Sequence, residues 1–294
     1  MAKFRELRAR ISGVENTAKI TSAMKMVAAA KLRRAQDAII AARPYGRKLQ
    51  ELLQFLASTE EGATLSPLFA ERDVERVAVV VIAADRGLCG AFNTNVIRAA
   101  TTLIDQEYAA HRASGRLDLI TVGKRAVDFF AKRTYNVIAS YPGIFGHLEF
   151  SLARSIVADL TDSFLQGRVD RVVIVYTEFR SAIKQTVITS QFLPIPKLEG
   201  SQMPAAPIEY IFEPSRAELL TSLLPKYLNT RFWNMLLDSN AAEQGARMTA
   251  MENATKNARD LVRTLRLSYN KARQASITTE ILEIVSGAEA LREG

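Results

Sequence analysis

Met248-Thr-Ala-Met251-Glu-Asn-Ala-Thr255-Lys-Asn-Ala258-Arg-Asp-Leu-Val262-Arg-Thr-Leu265-Arg-Leu-Ser-Tyr269-Asn-Lys-Ala272-Arg-Gln-Ala-Ser276-Ile-Thr-Thr279 is the stretch on which the fold turns. Its numbered residues stand at alternating steps of three and four, the 3.5-residue repeat of a left-handed coiled coil. The seam is narrow and made largely of Ala, Ser and Thr. Side chains that small require a partner backbone to approach closely, or a larger surround to fill the remaining space. Working backwards, the helix has a clear start at Ser215, whose hydroxyl can cap the Glu218 N–H while the Glu218 carboxylate reaches back, a capping box. Pro225 is expected to bend the entry, since it removes one ladder bond and crowds the carbonyl four residues before it. After Asp238 there is no proline, and Gly245 and Gly287 weaken a helix without forbidding it. A helix from Ser215 to about Ala290 would be on the order of 110 Å long, too long for one small domain to cover.

The other end of the chain repeats the pattern. Leu7, Ile11, Val14, Ala18, Thr21, Lys25, Ala28, Leu32, Ala35, Ile39 and Ala42 stand at steps of four and three. Pro44 and Gly46 are expected to interrupt this helix, with a kink before it resumes from about Lys48 to Ala57. Two light-seamed helices at opposite ends of one chain are most economically paired antiparallel with each other, leaving the middle as an insertion.

That middle has a different grammar. Val77-Ala-Val-Val-Val-Ile-Ala-Ala84 is a continuous apolar, β-rich run of the kind buried on both faces, and Leu117–Val122 and Arg171–Tyr176 resemble it. Helical stretches near Thr94–His111, Lys124–Lys132 and Glu149–Leu165 alternate with these runs, which predicts a parallel α/β sheet. Thr186–Pro194 is expected to pair with the preceding strand as an edge hairpin. Lys197–Pro207 reads as the loop back to the long helix. The predicted fold class is thus α/β, with a long antiparallel two-helix coiled coil of the N- and C-terminal helices and an inserted Rossmann-like α/β domain. Its parts are residues 1–73, 74–214 and 215–294.

A length of 294 residues with 48% apolar and 24% charged content is ordinary for a folded chain, and the net charge of +8 is uneven. Residues 1–50 are strongly basic, with only Glu6, Glu15 and Asp37 as acids, so one face of the first helix is either solvated or set against an anionic partner. One cysteine excludes an internal disulfide, and two histidines, His111 and His147, offer no metal-site spacing. The charged N-terminus does not read as a secretory signal. The longest apolar run, Val77–Ala84, is far short of the roughly 20 residues that span a bilayer. Membrane contact, if any, is expected only through partners.

Each local motif has a plain reading beside a functional one. Asp85-Arg-Gly-Leu-Cys-Gly90 follows the first strand, where a doubly wound fold can hold a phosphate. It matches neither G-x-G-x-x-G nor G-x-x-x-x-G-K-[ST], so Asp85, Arg86, Gly87 and Gly90 are expected to form a structural turn. Cys89 lacks a local base and reads as a packed thiol. Met24 and Met26 flanking Lys25 are core filler with one solvated charge, or a soft bearing contact. Arg273, Gln274, Thr278 and Glu280 cluster within about two helical turns; they are solvated surface, or suited to catching a carboxylate of another chain.

Three segments carry a resemblance: Arg10-Ile-Ser-Gly-Val-Glu-Asn-Thr-Ala-Lys-Ile-Thr-Ser-Ala-Met-Lys-Met-Val-Ala-Ala-Ala-Lys-Leu-Arg-Arg-Ala35, Asp85–Gly90, and Tyr269–Thr278 continued by Glu283-Ile-Val-Ser-Gly-Ala288. Together they closely resemble the gamma subunits of F-type ATP synthases. The resemblance implies a non-catalytic rotor shaft within a hexamer of alpha and beta subunits, one copy per complex, its foot on the c-ring beside epsilon. It implies contacts to the hexamer from Met24, Lys25, Arg247, Arg273, Gln274 and Thr278, and to the c-ring or epsilon from Tyr210, Phe212 and Glu213. Phe212 stands where some members carry tyrosine, which removes a hydroxyl from that contact. No cofactor is implied. The expected location is peripheral, on the cytoplasmic face of a bacterial inner membrane. Two rivals from the residues alone are a basic coiled-coil nucleic-acid binder and a nucleotide-dependent enzyme using the Asp85–Asn93 turn. The first is weakened by a basic region whose aromatics are only Phe4 and Tyr45.

Overall fold

The computed structural model describes residues 2–57, 66–182, 184–196, 213 and 215–290. Helix α1, Ala2–Ala57, leads to a 3-10 turn at Pro67–Phe69. The alternating segment follows: strand β1 (Val77–Ile82), helices α2 (Phe92–Glu107) and α3 (Ala109–Ala113), β2 (Leu117–Val122), α4 (Lys124–Phe130), β3 (Asn136–Tyr141), α5 (Phe150–Leu165), β4 (Arg171–Phe179) and β5 (Gln185–Leu193). Helix α6, Arg216–Ala290, ends the described chain. Two compact units divide both long helices: Ala29–Arg247, and Met1–Ala28 together with Met248–Gly294.

In the Ala29–Arg247 unit a five-stranded sheet has the order β3-β2-β1-β4-β5, parallel except for β5, which runs antiparallel beside β4. Every residue of β1 and β2 is buried, which is why these strands read as unbroken apolar runs. The pleat sends Val77, Val79 and Val81 to one face with Val96, Ile104 and Phe130 of α2 and α4. It sends Ala78, Val80 and Ile82 to the other, where Leu53 of α1, Ile156 and Phe164 of α5, and Leu220, Leu224, Leu228, Phe232 and Leu236 of α6 close a second core. The lower parts of both long helices are therefore part of the α/β body.

Three expectations need correction. Strand β3 was not foreseen: its residues alternate exposed and half-buried at the sheet edge, and Asn-Val-Ile-Ala-Ser-Tyr carries no run long enough to stand out. Pro44 and Gly46 do not interrupt α1, and the C-terminal helix runs on through Pro225, where only a bend was expected. Both prolines are exposed, as are Ile40 and Thr221 four residues earlier, so water can take the carbonyls that lose a donor. Gly46 likewise marks a close approach: a Cβ there would lie 2.8 Å from Asn234 Nδ2 on the C-terminal helix. The predicted helix Thr94–His111 is two helices, α2 and α3, broken at Tyr108.

In the other unit the two helices run antiparallel. Phe4 meets Tyr269 edge-on at 5.8 Å, Glu15 pairs with Arg266 at 2.6 Å, Thr21 and Thr255 share a 2.7 Å hydroxyl bond, and Lys25 reaches Glu252 at 2.5 Å. Met251, Thr255, Ala258 and Leu265 are buried and Val262, Tyr269, Ala272 and Ser276 half-buried, the spacing expected of a coiled-coil seam. Thr279, the last of the seam positions, is exposed. The capping bond from Glu218 N–H to Ser215 Oγ is present at 3.3 Å.

Candidate functional site

The Asp85–Gly90 turn leaves β1 at the carboxyl end of the parallel strands, where open α/β sheets hold their ligands. Here that place is filled from within. Asp85 Oδ1 accepts from the N–H of Lys124 at 2.8 Å and of Gly143 at 2.7 Å, and Oδ2 accepts from Phe145 N–H at 2.8 Å. One carboxylate thereby joins the loops that follow β1, β2 and β3, in the manner of an anion held by backbone donors. Asn93 Oδ1 accepts from Ala84 N–H, and its Nδ2 donates to Arg86 O and Cys89 Sγ. Above Gly87 lies the Arg125 guanidinium; a Cβ at Gly87 would sit 2.5 Å from its Nη2. Leu88 and Gly90 take φ of 61° and 59°, the left-handed region, with the Leu88 side chain 67% exposed. Cys89 is buried, and that burial raises its pKa against the pull of the Arg247 guanidinium, so the thiol stays protonated.

The C-terminal helix closes on this turn through Arg247. Its Nη1 pairs with Glu243 and its Nη2 donates to Gly87 O at 3.1 Å and Arg86 O at 3.5 Å. The Arg247 side chain is 11% exposed. The resemblance places it among the hexamer contacts; within the chain its donors bond inside the Ala29–Arg247 unit. Glu243 is buried, and burial raises its pKa more than Arg247 lowers it. Its Oε2 has no partner among the described residues. A second, half-buried acid, Asp238, lies 3.7 Å from Arg43 of α1. Burial pushes its pKa up to about 6, with Arg43 opposing and Glu178 adding to the rise. Sequence reading missed Glu243, Asp238 and the triple bonding of Asp85. The i,i+4 spacing of Glu243 and Arg247 was the only trace of the first.

The remaining candidates lie on the coiled-coil unit or beyond the described residues. Met24 is half-buried; Lys25, 38% exposed, is held by Glu252. Arg273, Gln274 and Thr278 are exposed, with the Thr278 hydroxyl donating to Gln274 O at 2.9 Å, and Arg273 forms no ion pair with a described residue. Beyond Gln274, the residues Ile277, Ile281, Leu282, Ile284 and Val285 are exposed by 45–72% along one broad stripe of the helix, opposite Thr279, Glu280 and Glu283, with no described segment covering them. Tyr210 and Phe212 lie outside the described residues, and Glu213 is exposed. Among the described residues no group of three or more His, Cys, Asp or Glu could hold a metal ion, and no helix is long and apolar enough to cross a membrane.

Comparison with known proteins bears on all of this. Residues 3–291 match the family model described as ATP synthase. An ATP synthase gamma chain of Chloroherpeton thalassium is 50% identical over 303 residues, covering 100% of this chain and 99% of the relative. One from Chlorobium luteolum is 51% identical over 294 residues, covering 99% and 100%. Among solved structures, a chain from the OSCP/F1/c-ring structure of the Euglena gracilis mitochondrial ATP synthase superposes with TM-score 0.70 at 23% identity, covering 100% of this chain and 96% of that one. A chain from the central stalk/c-ring structure of the Tetrahymena thermophila enzyme gives 0.58 at 24% identity, covering 80% and 99%. At those identities the structural likeness speaks for the fold.

Proposed function

Because the chain belongs to the ATP synthase gamma-chain family, and so is the rotor shaft of such a complex, we propose that it works without catalytic groups of its own, through carboxylate-catching contacts on its coiled coil. The observation that carries this reading is the end of the C-terminal helix. Past the Phe4–Tyr269 contact it presents Arg273 and Gln274 to solvent, followed by a turn-by-turn array of exposed Ile, Leu and Val. A broad exposed apolar stripe on a helix end is suited to being enclosed by a partner. A guanidinium fork just before the enclosed part is suited to gripping a partner carboxylate.

The grip has to release. Lys25 and Glu252 form an exposed pair of the kind worth about 0–1 kcal/mol, so a carboxylate of the surrounding beta subunits can displace Glu252 at small cost. Met24 beside it supplies an adaptable apolar contact. The foot, with Tyr210, Phe212 and Glu213, approaches the c-ring and epsilon, and the assembly lies on the cytoplasmic face of the membrane with one shaft per complex. The crevice at Asp85–Gly90, already holding an internal carboxylate and roofed by Arg125, supports a structural use of the turn.

The test is Arg273→Ala with Gln274→Ala in the reconstituted complex, against Lys132→Ala in the exposed turn after α4 as control. The expected outcome is a normally folded chain whose complex hydrolyses ATP several-fold more slowly, since each charged bond lost is worth about 1.5–3 kcal/mol. Unchanged turnover, rotation and assembly would make these residues solvated surface.

A further inference from the structure

The Ala29–Arg247 unit holds its sheet to the C-terminal helix by two kinds of contact. Leu220, Leu224, Leu228, Phe232 and Leu236 bury themselves against the strands and α5. Such packing is strong but non-directional. Near the end of the unit the contacts change character: Ser239, Glu243 and Gln244 are buried polar residues, and Arg247 ends the unit with donors on two carbonyls of the turn. Hydrogen bonds resist change of angle as well as of distance.

From this we infer that Arg247, fixed by Glu243, is a torque-bearing tie that locks the C-terminal helix to the sheet through the Asp85–Gly90 turn. Arg247 grips the carbonyls of Arg86 and Gly87. Their neighbour Asp85 is bonded to Lys124 at the end of β2 and to Gly143 and Phe145 after β3. A twist applied to the helix thus reaches the ends of three strands through directional bonds, with no flexible side chain longer than Arg247 in the path. Burial strengthens this network and leaves Glu243 no water to exchange for its partner. Arg247 is a positioning residue: it acts through Glu243 and the carbonyls of the turn. The inference rests on the rotor reading above.

Removing Arg247 alone would strand a buried carboxylate and confuse stiffness with stability. The decisive variant is therefore Glu243→Leu with Arg247→Met, which removes both charges and keeps the volume; replacing both partners of a buried pair is often close to neutral for stability. With the hexamer immobilised, a bead is attached to the foot at Lys132→Cys. The native Cys89 is buried and does not compete for the label. Thermal fluctuation of the bead during a rotary dwell and ATP-driven ion transport per ATP hydrolysed are both read. The expected result is an unchanged melting temperature, about a twofold rise in angular variance and a lower transport ratio, because the directional part of the connection is gone. Arg247→Lys, which keeps the charge and one donor direction, should fall between. Unchanged variance in the double variant overturns the tie, as does a variance that simply follows melting temperature across the three proteins. Failure of the unsubstituted complex to rotate at all would instead remove the shaft reading on which the tie depends.

Discussion

Residues 216–247 and 248–290 belong to one helix yet live in different surroundings. In the first stretch Leu220, Leu224, Leu228, Phe232 and Leu236 are at most 1% exposed, and Ala241, Ala242 and Glu243 are buried as well. In the second, burial is confined to Met251, Thr255, Ala258 and Leu265, and after Ser276 every described side chain is exposed. Propensity changes little along the way; tertiary cover changes a great deal. Most helix stability in proteins comes from packing. One continuous helix therefore contains a part held by its own chain and a part that waits for cover from outside.

The contrast can be broken in three ways. The largest effect belongs to Phe232→Ala, in the core beside Phe192, which should destabilise the sheet-bearing unit by about 3–5 kcal/mol in urea unfolding. A cost of similar size from Ala258→Gly on the coiled-coil seam would show that both stretches are held alike. The second test is electrostatic. Folded Asp238 keeps its proton up to about pH 6, whereas its ordinary value is 3.8. Between those values the native chain binds more protons than the unfolded one, so stability falls as pH rises and the penalty is complete above the folded value. Asp238→Asn should match the parent near pH 4 and exceed it by about 1–3 kcal/mol near pH 8, Arg43 being exposed enough to find water instead. A variant less stable than the parent near pH 8 would mean the ion pair outweighs burial. The smallest effect is Arg266→Ala, which breaks an exposed pair with Glu15 and should cost under about 1 kcal/mol, vanishing in high salt.

What could be read in the sequence follows the same division. Where one physical rule acts alone, the residues spell it out: the three-and-four spacing from Met251 to Ser276 and the doubly buried runs of β1 and β2 stand where expected. Where two rules compete, local signals mislead. Pro44 and Gly46 look like an interruption, but exposure excuses the proline, and the glycine marks the close approach to Asn234. Edge strand β3 has too little burial to advertise itself. Arg247 shows most sharply what composition hides. The resemblance implies a partner contact for it, and although helix spacing alone sets Glu243 beside it, only the fold brings two carbonyls of a turn 160 residues away within its reach.

Asp85 closes bonds to residues 39, 58 and 60 positions further along the chain. Chain closures of that span bring their reward only after the intervening strands have found their places. The carboxylate can thus complete its bonds only once β1, β2 and β3 lie side by side. Interactions completed late on a folding path do little for the speed of folding and mainly lengthen the lifetime of the folded state. For a part loaded and unloaded with every turn of its complex, that is the useful kind of stability, and a side chain at the end of β1 is placed to add to it.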